Sequence, residues 1–109
     1  MSQLDDQYNQ AITQHRDYLA KLQTAFNEHC DQITAAAQKQ LQAIPETSAE
    51  ARQAVMAEQK KQMEAALSQL KAEIDLSTNK NRRVLEEIHA QREAQRLAEL
   101  EQIMTQMAK

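Results

Sequence analysis

From Leu4 to Ile44 the apolar side chains recur at successive steps of four, three and four, and the pattern closes on itself after eleven residues. Three columns carry it: Leu4, His15, Phe26 and Ala37; Tyr8, Leu19, Cys30 and Leu41; and Ala11, Leu22, Ile33 and Ile44. Eleven residues make about three turns at about 3.67 residues per turn. The columns therefore form one nearly straight stripe, without the left-handed drift that a seven-residue repeat imposes. The pattern predicts a helix over residues 3–44, roughly 60 Å long at about 1.5 Å per residue.

Pro45 ends that helix, because proline disfavours helical geometry at Ile44 and has no amide to donate. Thr47 followed by Glu50 has the spacing of a capping box, in which a hydroxyl accepts from an orphan amide and a carboxylate reaches back. The expected turn is 45–47 and the expected second helix is 48–107. Its columns are Val55, Ala66, Ser77 and Ile88; Gln59, Leu70, Asn81, Arg92 and Ile103; and Met63, Ile74, Leu85, Arg96 and Met107. The run Ser77-Thr78-Asn79-Lys80-Asn81 has poor helix propensity. A break at 77–81, with a third helix folding back from about residue 80, is the alternative. Against it, Met63, Ile74 and Leu85 stay in phase across the run.

Residues 1–109 thus read as one all-α domain, a long antiparallel helical hairpin. Folding about Pro45-Thr47 pairs positions whose numbers sum to about 92. Phe26 then meets Ala66 and Leu67, Leu22 meets Leu70, Leu19 meets Ile74, and Leu4 reaches Ile88. His15 falls opposite Ser77, with Asn81 one layer on. About twenty residues remain beyond the end of the pairing, and Leu97, Leu100, Met104 and Met107 repeat through them at 3-4-3 spacing. An exposed apolar stripe of that kind calls for a partner. The expectation is a homodimer, a four-helix bundle, with those four residues in its interface.

Composition reinforces the all-helical reading. The chain has no Gly, one Pro, 18 Ala and 17 Gln, so it is rich in helix formers and poor in anything that punctuates strands. Ile, Leu, Val, Met and Phe number only 24 of 109 residues, a thin core that self-association would supplement. The net charge of −3 is mild, dividing as −2 over residues 1–44, −2 over 46–76 and +1 over 77–109. No apolar run approaches the ~18–20 residues that span a bilayer, and Met1-Ser2-Gln3-Leu4-Asp5-Asp6 has no signal-peptide character. With one Cys there is no internal disulfide. These features predict a cytoplasmic protein without a membrane partner.

Few residues offer chemistry. Glu86 and His89 have the Glu-x-x-His spacing of di-metal carboxylate bundles, but the first helix places no Glu at that level. They read first as a solvated Glu, paired with Arg82 four residues earlier, and a His at the edge of the helix contact. In Glu28-His29-Cys30-Asp31, adjacent side chains diverge by about 100° and cannot converge on one ion. Cys30 belongs to the apolar column as a small core residue. Nothing in the chain suits a nucleophile with its base and oxyanion donors, so neither an enzyme nor a cofactor is expected.

Lys80, Arg82, Arg83, Arg92 and Arg96 are the only basic concentration. Glu86, Glu87, Glu93 and Glu99 interleave them, and no aromatic residue lies there to stack a base. The segment 80–96 therefore reads as a salt-bridged helix face, with nucleic-acid association as a second reading. Met56, Met63, Met104 and Met107 read as gap-filling core before they read as an adaptable surface. The first functional reading is a non-enzymatic interaction, scaffold or adaptor protein with an unidentified protein partner; a metal-binding bundle at Glu86 and His89 is the third.

His15, Ser77 and Asn81 form the expected polar layer, a hydrogen-bonded register lock. A buried imidazole that charges below pH ~6.5 would also make the layer sensitive to mild acid. A melting temperature that does not shift between about pH 5.5 and about pH 7.5 would remove that role.

Overall fold

The computed structural model describes residues 3–108. Among them are two α-helices, α1 at Gln3–Gln42 and α2 at Ala49–Met107, and no strand. No described helix is long and apolar enough to cross a membrane. The predicted stripe is the shielded face. All twelve positions from Leu4 to Ile44 are buried or half-buried, and within residues 3–44 only Asp5 and Thr34 join them. On α2 the columns are shielded from Val55 through Arg92.

The alternative break at 77–81 does not occur, and no third helix forms: α2 is helical throughout that run. Ser77 and Asn81 are half-buried within it, between half-buried Ile74 and Leu85. Propensity is a weak local preference, and packing of the flanking turns overrides it.

The connection differs from the expected 45–47. The helix ends at Gln42 rather than Ile44, and the second begins at Ala49. Ala43 and Ile44 donate to the carbonyls of Gln40 and Leu41, both at 3.2 Å, so the last turn of α1 tightens into i→i+3 bonds. Helices commonly end on a residue with positive φ, usually Gly. This chain has no Gly, and no described residue takes positive φ. Arg52 does the work instead: its Nη1 donates to the carbonyls of Leu41 at 3.1 Å and Ile44 at 3.2 Å. The side chain neutralises the negative end of α1 and anchors it to the first turn of α2.

Ser48, not Thr47, occupies the N-cap of α2. Its carbonyl accepts the first helical bond from Arg52 N–H at 3.1 Å, and its own amide donates to Pro45 O at 3.0 Å. Thr47 is exposed. Glu50 in the first turn complements the positive end of the helix.

The contacts divide the chain into two compact units. The turn unit, Tyr18–Asp75, contains the connection and the helix segments on either side of it. Its buried side chains are Ile33, Ala37 and Ala66. Leu22, Phe26, Ala66 and Leu70 line one groove, so the expected pairings of Leu22 with Leu70 and of Phe26 with Ala66 lie together. A large ring faces a methyl there, the interdigitation that close packing requires.

The end unit holds the residues up to Asp17 and those from Leu76 onward. Its buried side chain is Ile88, which lines a groove with Ala11 rather than with Leu4. Asp5 reaches Arg92. The expected register is therefore displaced along α2 by more than one turn at this end. Part of the reason is side-chain direction. In both antiparallel helices the Cα–Cβ bonds lean toward their own N-termini, so touching residues carry higher numbers than the backbone positions that face each other. As a result α2 is shielded as far as Arg92, and the uncovered stretch begins at Glu93.

Replacing the arginine that closes the turn tests this account. Arg52→Ala should lower stability by about 1–3 kcal/mol, because two carbonyls lose a charged donor in a half-buried setting. Chemical denaturation of the variant checks it. An unchanged midpoint would mean that solvent satisfies the end of α1 equally well.

Candidate interaction surface

Every residue from Glu93 to Ala108 is exposed. Five of them are large and apolar: Leu97 at 58%, Leu100 at 46%, Ile103 at 51%, Met104 at 68% and Met107 at 81% exposure. At about 100° per residue they fall within an arc of about 120°, so they form one face. Ile103 belongs to it as fully as the four residues of the 3-4-3 pattern. The eleven-residue column that runs through Asn81 and Arg92 already pointed to it. Elsewhere the exposed large apolar residues are Ile12, Tyr18, Met56, Leu67, Leu76 and Val84. These are spread along the chain singly, as on any soluble surface.

The face starts where a polar latch ends the α1 contact. Arg92 Nη2 lies 2.9 Å from Asp5 Oδ1, and its guanidinium sits 5.2 Å from the centre of the Tyr8 ring. Both charged side chains are partly exposed, so the ion pair contributes modestly, about 0.2–1 kcal/mol, with a cation–π contact of similar size. Its position matters more than its strength. It fastens the first turns of α1 to α2 at the last shielded residue. The sequence shows Arg92 as a basic residue in an apolar column and leaves its partners, Asp5 and Tyr8, unassigned. A guanidinium at a column position with an acid and an aromatic ring on the facing helix was the available signal.

The remaining basic residues are interleaved with acids as expected. Arg82 Nε lies 3.9 Å from Glu86 Oε1, and Arg96 Nη1 lies 4.0 Å from Glu93 Oε1. Three of the five basic residues of the 80–96 segment are thus engaged by carboxylates; Lys80 and Arg83 are exposed. Glu86 and His89 are exposed on the same helix, and among the described residues no group of three metal-ligating side chains gathers there or elsewhere. Cys30 is a half-buried free thiol in the stripe. His29 beside it is exposed and borders the groove that also contains Glu73.

His15, Ser77 and Asn81 are all half-buried. The expected lock does not close at the imidazole, because His15 Nε2 is buried with no hydrogen-bond partner. A layer of this kind costs stability rather than adding it, since a buried polar atom left unpaired is penalised by about 1–3 kcal/mol.

Set against known proteins, the chain matches no family model, and no curated protein or solved structure is significantly similar to it.

The orphaned nitrogen yields a clear expectation. His15→Leu should raise stability by about 1–2 kcal/mol, replacing an unpaired polar group in the stripe with an apolar one of similar bulk. Thermal and denaturant unfolding of the variant measure it. A loss of stability would show that the imidazole makes a bond worth keeping.

Proposed function

We propose that this chain is a non-enzymatic interaction protein that acts as a helical homodimer, with the apolar face at Leu97, Leu100, Ile103, Met104 and Met107 as its contact surface. The observation that carries this reading is the concentration of those five exposed side chains on one side of the helix end. Apolar residues so grouped mark a site of association, whereas scattered ones do not. The thin core points the same way. Only Ile33, Ala37, Ala66 and Ile88 are buried among the described residues, so association adds burial that the single chain lacks.

The expected four-helix bundle, with two hairpins side by side, would need a second apolar stripe on the outward faces. Those faces carry only single apolar residues among Gln, Glu, Lys and Arg. The pairing is therefore assigned to the uncovered end of α2, and the polar outward faces are left to present hydrogen-bonding side chains to another protein, in the manner of a scaffold or adaptor.

Mass in solution tests the dimer. Two chains of 12.5 kDa each are expected for the native protein at high concentration. Leu100→Glu should weaken association by roughly a hundredfold, about 3 kcal/mol, since each dimer would bury two unpaired carboxylates. Helicity should be unchanged, because Leu100 is an exposed position of α2. A monomeric mass for the native protein at every concentration would overturn the reading.

A further inference from the structure

We propose that the occupant of this face is the same face of a second copy running antiparallel, so that two chains join tail to tail through residues 97–107. The inference rests on the dimeric reading above and specifies its geometry.

The spacing itself is self-complementary. Leu97, Leu100, Met104 and Met107 are separated by three, four and three residues, an order that reads the same in both directions. A two-fold axis midway between Leu100 and Met104 therefore sets Leu97 against the second copy's Met107, and Leu100 against its Met104. Every layer then joins a branched Leu to a flexible, gap-filling Met, and both copies contribute the same patch, as a closed two-fold interface requires. Parallel pairing would instead stack Leu on Leu and Met on Met.

Charge separates the two orientations more sharply. Glu86 and Glu93 precede Leu100 and Met107 at intervals of seven, on the same side of α2. In a parallel pair Glu93 would face its own copy and Glu86 would follow seven residues further on, placing like charges on the line of the contact. Parallel pairing would gain a rim contact between Arg96 and the second copy's Glu101, but Arg96 already has Glu93 at 4.0 Å. In the antiparallel pair, Glu93 and Glu86 lie beyond the overlap and meet no copy of themselves.

The face is also continuous with the contact that α1 makes. Ile103 extends the column through Asn81 and Arg92, and Met107 extends the column through Leu85 and Arg96. Shielding on that side stops at Arg92. A second copy thus takes over the role of α1 where α1 ends. The overlap is short, below the ~1,200 Å² of a standard interface, so the dimer is expected to be weak and concentration-dependent.

Spin labels on the full chain, in a Cys30→Ala background, read the orientation. The label sites are Gln91→Cys and Gln102→Cys, both at exposed positions. Antiparallel pairing makes the inter-copy separation longer at Gln91 than at Gln102, since Gln102 lies level with the two-fold axis while the two Gln91 positions are offset by about 33 Å along the helices, about 1.5 Å per residue in each copy. Equal separations in a sample of dimeric mass would mean parallel pairing. A separation shorter at Gln91 than at Gln102 would mean that the copies overlap along their shielded lengths. Either result overturns the tail-to-tail arrangement and leaves the dimer standing. A monomeric mass with no inter-copy separation overturns both.

Discussion

Each helix of this protein has one narrow apolar stripe and therefore one partner. With its shielded apolar residues lying in columns of eleven-residue period, a helix can bury a single face and must leave the rest to water. The remaining features follow from where that stripe is satisfied. In the turn unit it is satisfied by the facing helix, with Ile33, Ala37 and Ala66 as the buried centre. In the end unit it is satisfied as far as Arg92, and beyond that point the same helix continues with its apolar side chains in solvent.

The connection shows how a glycine-free chain manages a helix end. Without a residue suited to positive φ, α1 tightens its last turn and takes a guanidinium from the first turn of the next helix. The same device serves at the other end in a different form, where Arg92 is held by Asp5 and the ring of Tyr8. Two arginines thus mark the limits of the shielded stretch of α2. Both work by bringing a charge from one helix to groups of the other, and both spend polar residues at positions in or beside the apolar stripe.

The functional reading grows from what these devices leave uncovered. A thin core, a polar outer surface and one grouped apolar face are the features that support the proposed reading of association. The basic segment contributes little free charge to it, since Arg82, Arg92 and Arg96 face carboxylates. The carboxylate and histidine at 86 and 89 stand in solvent without a third ligand among the described residues. The proposed reading therefore rests on the apolar face at the helix end rather than on either cluster.

By itself the sequence determined the class of fold and the shielded face, position by position, because helical periodicity is a local property that each residue reports directly. It also determined that an apolar stretch would outlast its partner helix. What only the tertiary structure decided depends on distances between segments far apart in the chain. The helix runs through Ser77–Asn81 because flanking packing outweighs propensity. The register at the open end lies more than a turn from the simple folding rule, in part because side chains lean along their helices. Arg52 and Arg92 find their partners only once the helices are side by side, and His15 fails to find one for the same reason: whether a polar atom is paired is settled by the facing helix, of which its own neighbours in sequence carry no record.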